Sequence, residues 1–143
     1  MKIALGADHG GFDLKEKVKT HLIEKGYEVL DLGTNSTDSV DYPEFGHAVG
    51  HAVADKKAEF GIVVCGTGIG ISIAANKVPG VRAALCTNTT MARLTREHNN
   101  ANILAMGGRI VGDVLALEMV DTFLGTEFQG GRHEKRINKI ESI

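Results

Sequence analysis

The sequence predicts an α/β fold, a doubly wound five-stranded parallel sheet with a C-terminal tail helix. Short apolar runs alternate strictly with amphipathic stretches, five times over, as a parallel sheet covered by helices on both faces requires. The central run, Ile62-Val63-Val64, has no polar partner on either side, the pattern of a strand buried on both faces. Cys65 ends that run, and the glycine-rich turn Gly66-Thr67-Gly68-Ile69-Gly70 follows at once. For five strands the expected order is 2-1-3-4-5, with the switch point between strands one and three. Ligands of such sheets bind beyond the carboxyl ends of the strands at that point. The residues placed there are Asp8-His9 and Cys65 to Gly70.

Each element has its own signature. Lys2 to Ala7 reads as strand one and ends in Asp8-His9-Gly10-Gly11. Phe12 to Lys25 follows as a helix, with Leu14, Val18 and Leu22 on one stripe and Gly26 as its stop. Tyr27 to Leu32 is strand two, and a polar connection runs from Gly33 to Tyr42. Pro43 then sits where a first helical residue belongs, and Phe45, Ala48, Val49, Ala52 and Val53 give the second helix an apolar face. Strand three is Gly61 to Cys65, and the small-residue helix Ile71 to Lys77 stops before Pro79-Gly80. Arg82 to Leu85 is strand four. Cys86-Thr87-Asn88 carries the capping side chains for a helix through about His98. Asn102 to Met106 is strand five, followed by Gly107-Gly108-Arg109. Val114 to Leu124 is the fifth helix, and Gln129-Gly130-Gly131 breaks it before a basic tail helix, Arg132 to Ile143. The alternation as a whole is Rossmann-like.

Composition narrows the function. A chain of 143 residues fits one domain, 1–143, large enough to bury a core. A net charge of −2 gives no global field that would recruit nucleic acid or an anionic membrane. The two cysteines, Cys65 and Cys86, show no framework spacing, which suits a reducing cytoplasm. Met1 to Leu5 reads as a strand rather than a targeting segment, and no apolar run approaches membrane-spanning length.

The glycine turn carries the chemistry. A strand, a glycine-rich turn and a helix N-terminus make a cradle of backbone N–H groups that favours negative charge. The same field favours the thiolate of a cysteine at its lip. The competing reading is an ordinary turn beside a buried structural cysteine. Gly66-x-Gly68-x-Gly70 lacks the G-x-G-x-x-G spacing, since position 71 is Ile, and no acidic residue ends strand four to hold a ribose hydroxyl. Both facts argue against a dinucleotide. Neither G-x-x-x-x-G-K-[ST] nor G-x-S-x-G occurs, and only Asp8 is placed as a receiver carboxylate would be. His47 and His51, four apart on the second helix near Glu44 and Asp55, read as a solvated face rather than half a metal site. Cys86 has no glycine loop after it and reads as structural.

Six ordered segments together resemble one family. Gly6-Ala7-Asp8-His9-Gly10-Gly11, Asp41-Tyr42-Pro43, Cys65-Gly66-Thr67-Gly68, Ile73-Ala74-Ala75-Asn76-Lys77, Arg96-Glu97-His98-Asn99 and Gly130-Gly131-Arg132-His133 are similar to ribose 5-phosphate isomerase B over nearly the whole chain. The resemblance implies a cytoplasmic, metal-independent interconversion of D-ribose 5-phosphate and D-ribulose 5-phosphate in the pentose phosphate pathway, with no cofactor. Members of the wider family isomerise allose 6-phosphate or galactose 6-phosphate, and these stand as alternative substrates. One branch uses a Glu in the glycine loop as base. The matching position here resembles Ile71, which cannot take a proton, while Cys65 is present. By that resemblance the chain falls in the thiol branch. A non-catalytic sugar-phosphate sensor is the alternative of another class, and a poised thiol has no use in one.

Carried over by resemblance, Cys65 is the base that moves a proton between C1 and C2 of the open-chain sugar. A thiol of ordinary pKa about 8.5 next to a helix N-terminus suits that task. The backbone of Gly66, Thr67, Gly68, Ile69 and Gly70 holds the enediolate oxygens. Thr67 passes a hydrogen bond between O1 and O2. His98 opens the furanose ring by protonating its oxygen, and Asp8 and Asn99 bind sugar hydroxyls. His9, Arg109, Arg132 and Arg136 resemble the phosphate clamp. Helices of a doubly wound sheet run back from the carboxyl to the amino ends of the strands. That sends His98 and Arg132 towards the opposite end from Cys65 and predicts a two-fold homodimer with sites shared between subunits. Whether dimers pair into tetramers is left open, as is the path of the tail.

Overall fold

The apolar stripes predicted above decide which face of the sheet each helix covers. The computed structural model describes residues 1–143. Its elements are β1 (Lys2–Ala7), α1 (Phe12–Glu24), β2 (Glu28–Asp31), α2 (Tyr42–Ala54), β3 (Phe60–Cys65), α3 (Ile69–Asn76), β4 (Ala83–Leu85), α4 (Thr89–Asn99), β5 (Ile103–Gly107), α5 (Asp113–Leu124) and α6 (Arg132–Glu141). All pairings are parallel.

The observed strand order is β2-β1-β3-β5-β4, which corrects the expected 2-1-3-4-5. β5 takes the place beside β3, and β4 is pushed to the edge. Burial explains the exchange. All five residues of β5 are buried, as an interior strand must be, whereas the three residues of β4 are only half-buried. A short strand of small residues is a poor centre and an acceptable edge. The switch point between β1 and β3 is unaffected, so the predicted crevice stays where it was.

The reversed step from β4 to β5 also changes the layers, putting α4 on the same face as α1 and α5. On that face Leu14, Val18 and Leu22 of α1 pack with Ile62, Val64, Met106, Met119 and Phe123. On the other, Val49 and Val53 of α2 and Ile71 of α3 pack with Val63, Cys65 and Ile103. Alternate residues of β3 thus serve opposite cores, the period-two consequence of the pleat. Lys15 is buried in the first turn of α1, and its ammonium lies 2.8 and 2.9 Å from the two carboxylate oxygens of Asp31, which closes β2.

Candidate active site

The carboxyl ends of β1, β3 and β5 converge on one crevice. Cys65 closes β3, 5% exposed, paired in register with Gly107 of β5. A side chain at Gly107 would put its Cβ 2.6 Å from the Thr67 carbonyl, so only glycine lets the turn lie this close to β5. Gly68 caps α3 in the left-handed region, at φ 82°. That turn aims the Gly68 N–H at the Cys65 sulfur, 3.1 Å away. An amide donating to sulfur favours negative charge on it. The Ile69 N–H donates to Thr67 Oγ1 at 3.1 Å, and the first turn of α3 carries no acidic residue to compete for an anion.

Three further groups rim this cradle. Asp8, 7% exposed after β1, accepts the Gly11 N–H on Oδ1 at 3.1 Å, which leaves Oδ2 for a ligand. His9 Nδ1 accepts the Val40 N–H at 3.2 Å. A backbone N–H can only donate, so the proton of the neutral ring sits on Nε2 and is the one offered outward. Arg109 is tied to the turn by its N–H on the Gly66 carbonyl at 2.9 Å, and its guanidinium lies alongside Gly66. The Tyr42 ring covers Gly70, where a Cβ would lie 2.6 Å from its ring carbons. Asp8, His9, Cys65, Gly66, Thr67, Gly68, Ile69, Gly70 and Arg109 are therefore brought together.

The remaining candidates lie at the other end of the sheet. His98 and Asn99 occupy the last turn of α4, and the Asn99 carbonyl accepts a hydrogen bond from Arg82 Nε at 2.9 Å just before β4 begins. β3 alone separates the two ends by five residue steps, about 16 Å, beyond the reach of an imidazole. The tail folds back on α4. The His133 ring of α6 stacks on the His98 ring, with centroids 4.3 Å apart and planes inclined by 15°. Lost hydration, followed by the charges of His98, Arg132 and Arg136, pushes the His133 imidazole below its ordinary value. Arg132 and Arg136 stand exposed beside it. A basic cluster thus gathers at the amino end, and an anion cradle with a thiol at the carboxyl end.

Tyr42 and His133 were part of the segments quoted from the sequence, without any role. The tyrosine directly precedes Pro43 at a helix start, and the histidine follows two glycines. Neither signal reveals what the ring will cover. Cys86, just after the edge strand β4, is buried in the same core as Ala92 of α4, and burial pushes its thiol up to about 11. His47 and His51 are exposed on α2, and no group of three or more His, Cys, Asp and Glu side chains is placed to hold a metal ion.

Known proteins resemble this chain over nearly its whole length. A family model described as Ribose/Galactose Isomerase matches residues 3–140. Ribose-5-phosphate isomerase B of Escherichia coli is 49% identical over 99% of this chain and 95% of its own. The solved structure of Clostridium thermocellum ribose-5-phosphate isomerase B superposes with a TM-score of 0.98 at 60% identity, covering 99% of this chain and 95% of that one. The Mycoplasma genitalium ribose-5-phosphate isomerase B, solved with bound ribulose-5-phosphate, superposes with a TM-score of 0.94 at 44% identity, covering 98% and 93%.

Proposed function

The chain belongs to the ribose/galactose isomerase family, and from that premise we propose that it interconverts D-ribose 5-phosphate and D-ribulose 5-phosphate through an enediolate, with Cys65 as the base. One observation carries the reading: the Cys65 sulfur accepts the Gly68 N–H at 3.1 Å at the N-terminus of α3, in a glycine turn whose first helical turn holds no acidic residue. The thiolate removes the proton from C2 of the open-chain aldose, negative charge moves onto the sugar oxygens, and the proton returns at C1. Amides preset around those oxygens stabilise the charge as it develops, where such contacts count most. Thr67 Oγ1, fixed by the Ile69 N–H, relays the proton between O1 and O2. Asp8 holds a sugar hydroxyl. The Nε2–H of His9 and the Arg109 guanidinium take the phosphate.

Ring opening needs an acid at the furanose oxygen, and His98 is the candidate. Since His98 and Cys65 stand at opposite ends of one subunit, a two-fold pair brings His98, Asn99, Arg132 and Arg136 of one chain to the Cys65 cradle of the other. The pathway is the pentose phosphate pathway and the compartment the cytoplasm. Activity is expected to survive exhaustive chelation, because an enediolate route asks only for a base and an oxyanion site. The test compares turnover of ribose 5-phosphate, allose 6-phosphate and galactose 6-phosphate by wild type and Cys65→Ala. The pentose is expected to be preferred, and the variant to bind a phosphate analogue without turnover. Preference for a hexose phosphate overturns the substrate, and an active Cys65→Ala overturns the base.

A further inference from the structure

His133 is a polar ring placed where an apolar one would cost less. It is 9% exposed in the first turn of α6, and it meets His98 through its face rather than through a nitrogen. The surrounding chain holds it there firmly. Gly130 and Gly131, at φ 67° and 58°, turn the chain sharply, and the His133 N–H donates to the Gly130 carbonyl at 3.2 Å. The turn is stapled to α4 one residue before His98. The Gln129 N–H donates to the Glu97 carbonyl at 3.1 Å, and its side-chain amide donates to the Glu97 carboxylate at 2.7 Å. Glu97 is further engaged by Arg93 at 2.6 Å. Without the His133 ring as neighbour, the half-buried His98 imidazole at the helix end would sample several orientations, since its terminal torsion is broad.

We propose that His133 is a positioning residue whose ring plane fixes the orientation of the His98 imidazole for opening the sugar ring; this rests on the isomerase reading above. A flat ring 4.3 Å away and inclined by 15° leaves His98 only rotations within its own plane. A ring held in one plane presents its nitrogens in fixed directions, as an acid that must meet a partner's substrate requires. The charged groups around the pair are consistent with this role. Arg132 and Arg136 flank His133 from α6, and Glu97 and Arg93 of α4 neutralise each other beside it. Arg96 is turned inwards onto Thr126, Asn100 and Ala101, and Arg82 onto Asn99, Asn100 and Glu141, so neither cation is free to displace His98. Arg132 and Arg136 are left for the phosphate.

The experiment separates ring opening from proton abstraction. Ribulose 5-phosphate carries its phosphate on the oxygen that would close a furanose, so it is acyclic. Exchange of its C1 hydrogen with deuterated solvent needs Cys65 but no ring-opening acid. Wild type, Cys65→Ala, His133→Ala, His133→Leu and His133→Phe are compared for kcat and KM on ribose 5-phosphate, for C1 exchange on ribulose 5-phosphate by NMR, and for melting temperature. A misplaced acid costs roughly tenfold to a hundredfold in rate, so His133→Ala and His133→Leu are expected to lose that much kcat. KM and C1 exchange stay near wild type. His133→Phe, which keeps the flat ring, is expected to recover most of the loss. Full kcat in His133→Ala overturns the proposal, as does a His133→Phe enzyme as slow as His133→Ala. Loss of C1 exchange in step with kcat also overturns it, because His133 would then serve the fold or the Cys65 cradle. Failure of the underlying reading looks different, since wild type would then show no exchange or Cys65→Ala would retain it.

Discussion

Gly68→Ala tests the cradle at its tightest point. The left-handed φ of 82° costs an alanine about 1–2 kcal/mol. Its Cβ would also lie 2.6 Å from Leu85 Cδ1, 2.7 Å from the Met106 carbonyl carbon and 2.9 Å from its oxygen. Leu85 can give way, but Met106 is backbone in the interior strand β5. Overpacking of that kind adds about 1–3 kcal/mol, for a total of roughly 2–5 kcal/mol. In a chain of this size that is a fall in melting temperature on the order of 10 °C. Relief comes only by lifting the turn, which draws the Gly68 N–H away from the 3.1 Å contact with sulfur. Loss of that amide from a charged sulfur costs about 1.5–3 kcal/mol, on the order of tenfold to a hundredfold in kcat. Gly80→Ala is the control: φ there is 88°, but a Cβ meets nothing within 4 Å, so only the backbone cost of about 1–2 kcal/mol applies and kcat stays unchanged. Urea unfolding and steady-state kinetics on both variants read the difference. Equal destabilisation by the two substitutions would remove the Met106 clash, and a Gly68→Ala enzyme of wild-type kcat would remove the amide on sulfur from catalysis.

The thiols should separate cleanly. With its thiol near 11, Cys86 is about one part in a thousand thiolate at pH 8, so iodoacetamide should label one site in the native protein and abolish activity. Label on Cys86 in native Cys65→Ala would show that the wrong thiol was chosen as inert. Asp31→Asn removes one of the two carboxylates on Lys15, which is 1% exposed and keeps Glu16 at 3.1 Å, and should destabilise by about 1.5–3 kcal/mol at pH 7. Burial pushes the Asp31 carboxyl up, but Lys15, the Gly33 N–H and Lys19 together hold it below its ordinary value. A depressed carboxyl stabilises above its unfolded pKa of about 4 and loses that contribution as pH falls through its folded value. The gap between wild type and Asp31→Asn in urea midpoint should therefore narrow below pH 4; a constant gap would remove the ion pair from the explanation.

The crevice was legible because strand ends and glycines are local signals. Ile62-Val63-Val64 followed by Cys65-Gly66-Thr67-Gly68 determines a buried strand, a tight turn and a helix start with no knowledge of distant residues. Strand order is a long-range choice, and there the expectation failed. The signal was nonetheless available: Ile103-Leu104-Ala105-Met106 is uniformly apolar and suits the interior, while Arg82-Ala83-Ala84-Leu85 begins with a charge and suits an edge. The direction of the helices put His98 and Cys65 at opposite ends, as the geometry of the sheet required. What no local pattern could reveal was the return of the tail. His133 is buried because Gln129 is held by Glu97, thirty-two residues earlier in the chain. Tyr42 covers Gly70 through an encounter of the same long-range kind.

The proposed site is assembled from the Cys65 end of one subunit and the His98 end of another, and subunit complementation reads that sharing without intermediate steps. Cys65→Ala and His98→Asn chains, each nearly inactive alone, are unfolded and refolded together, with mixed dimers counted by native mass spectrometry. Random pairing makes half the dimers mixed, and in each of these one site joins an intact Cys65 to an intact His98 while the other joins both defects. Activity should then recover to roughly a quarter of wild type under closed two-fold pairing. Mixed dimers that form and remain inactive would place Cys65 and His98 in sites of a single chain and rule out a shared site.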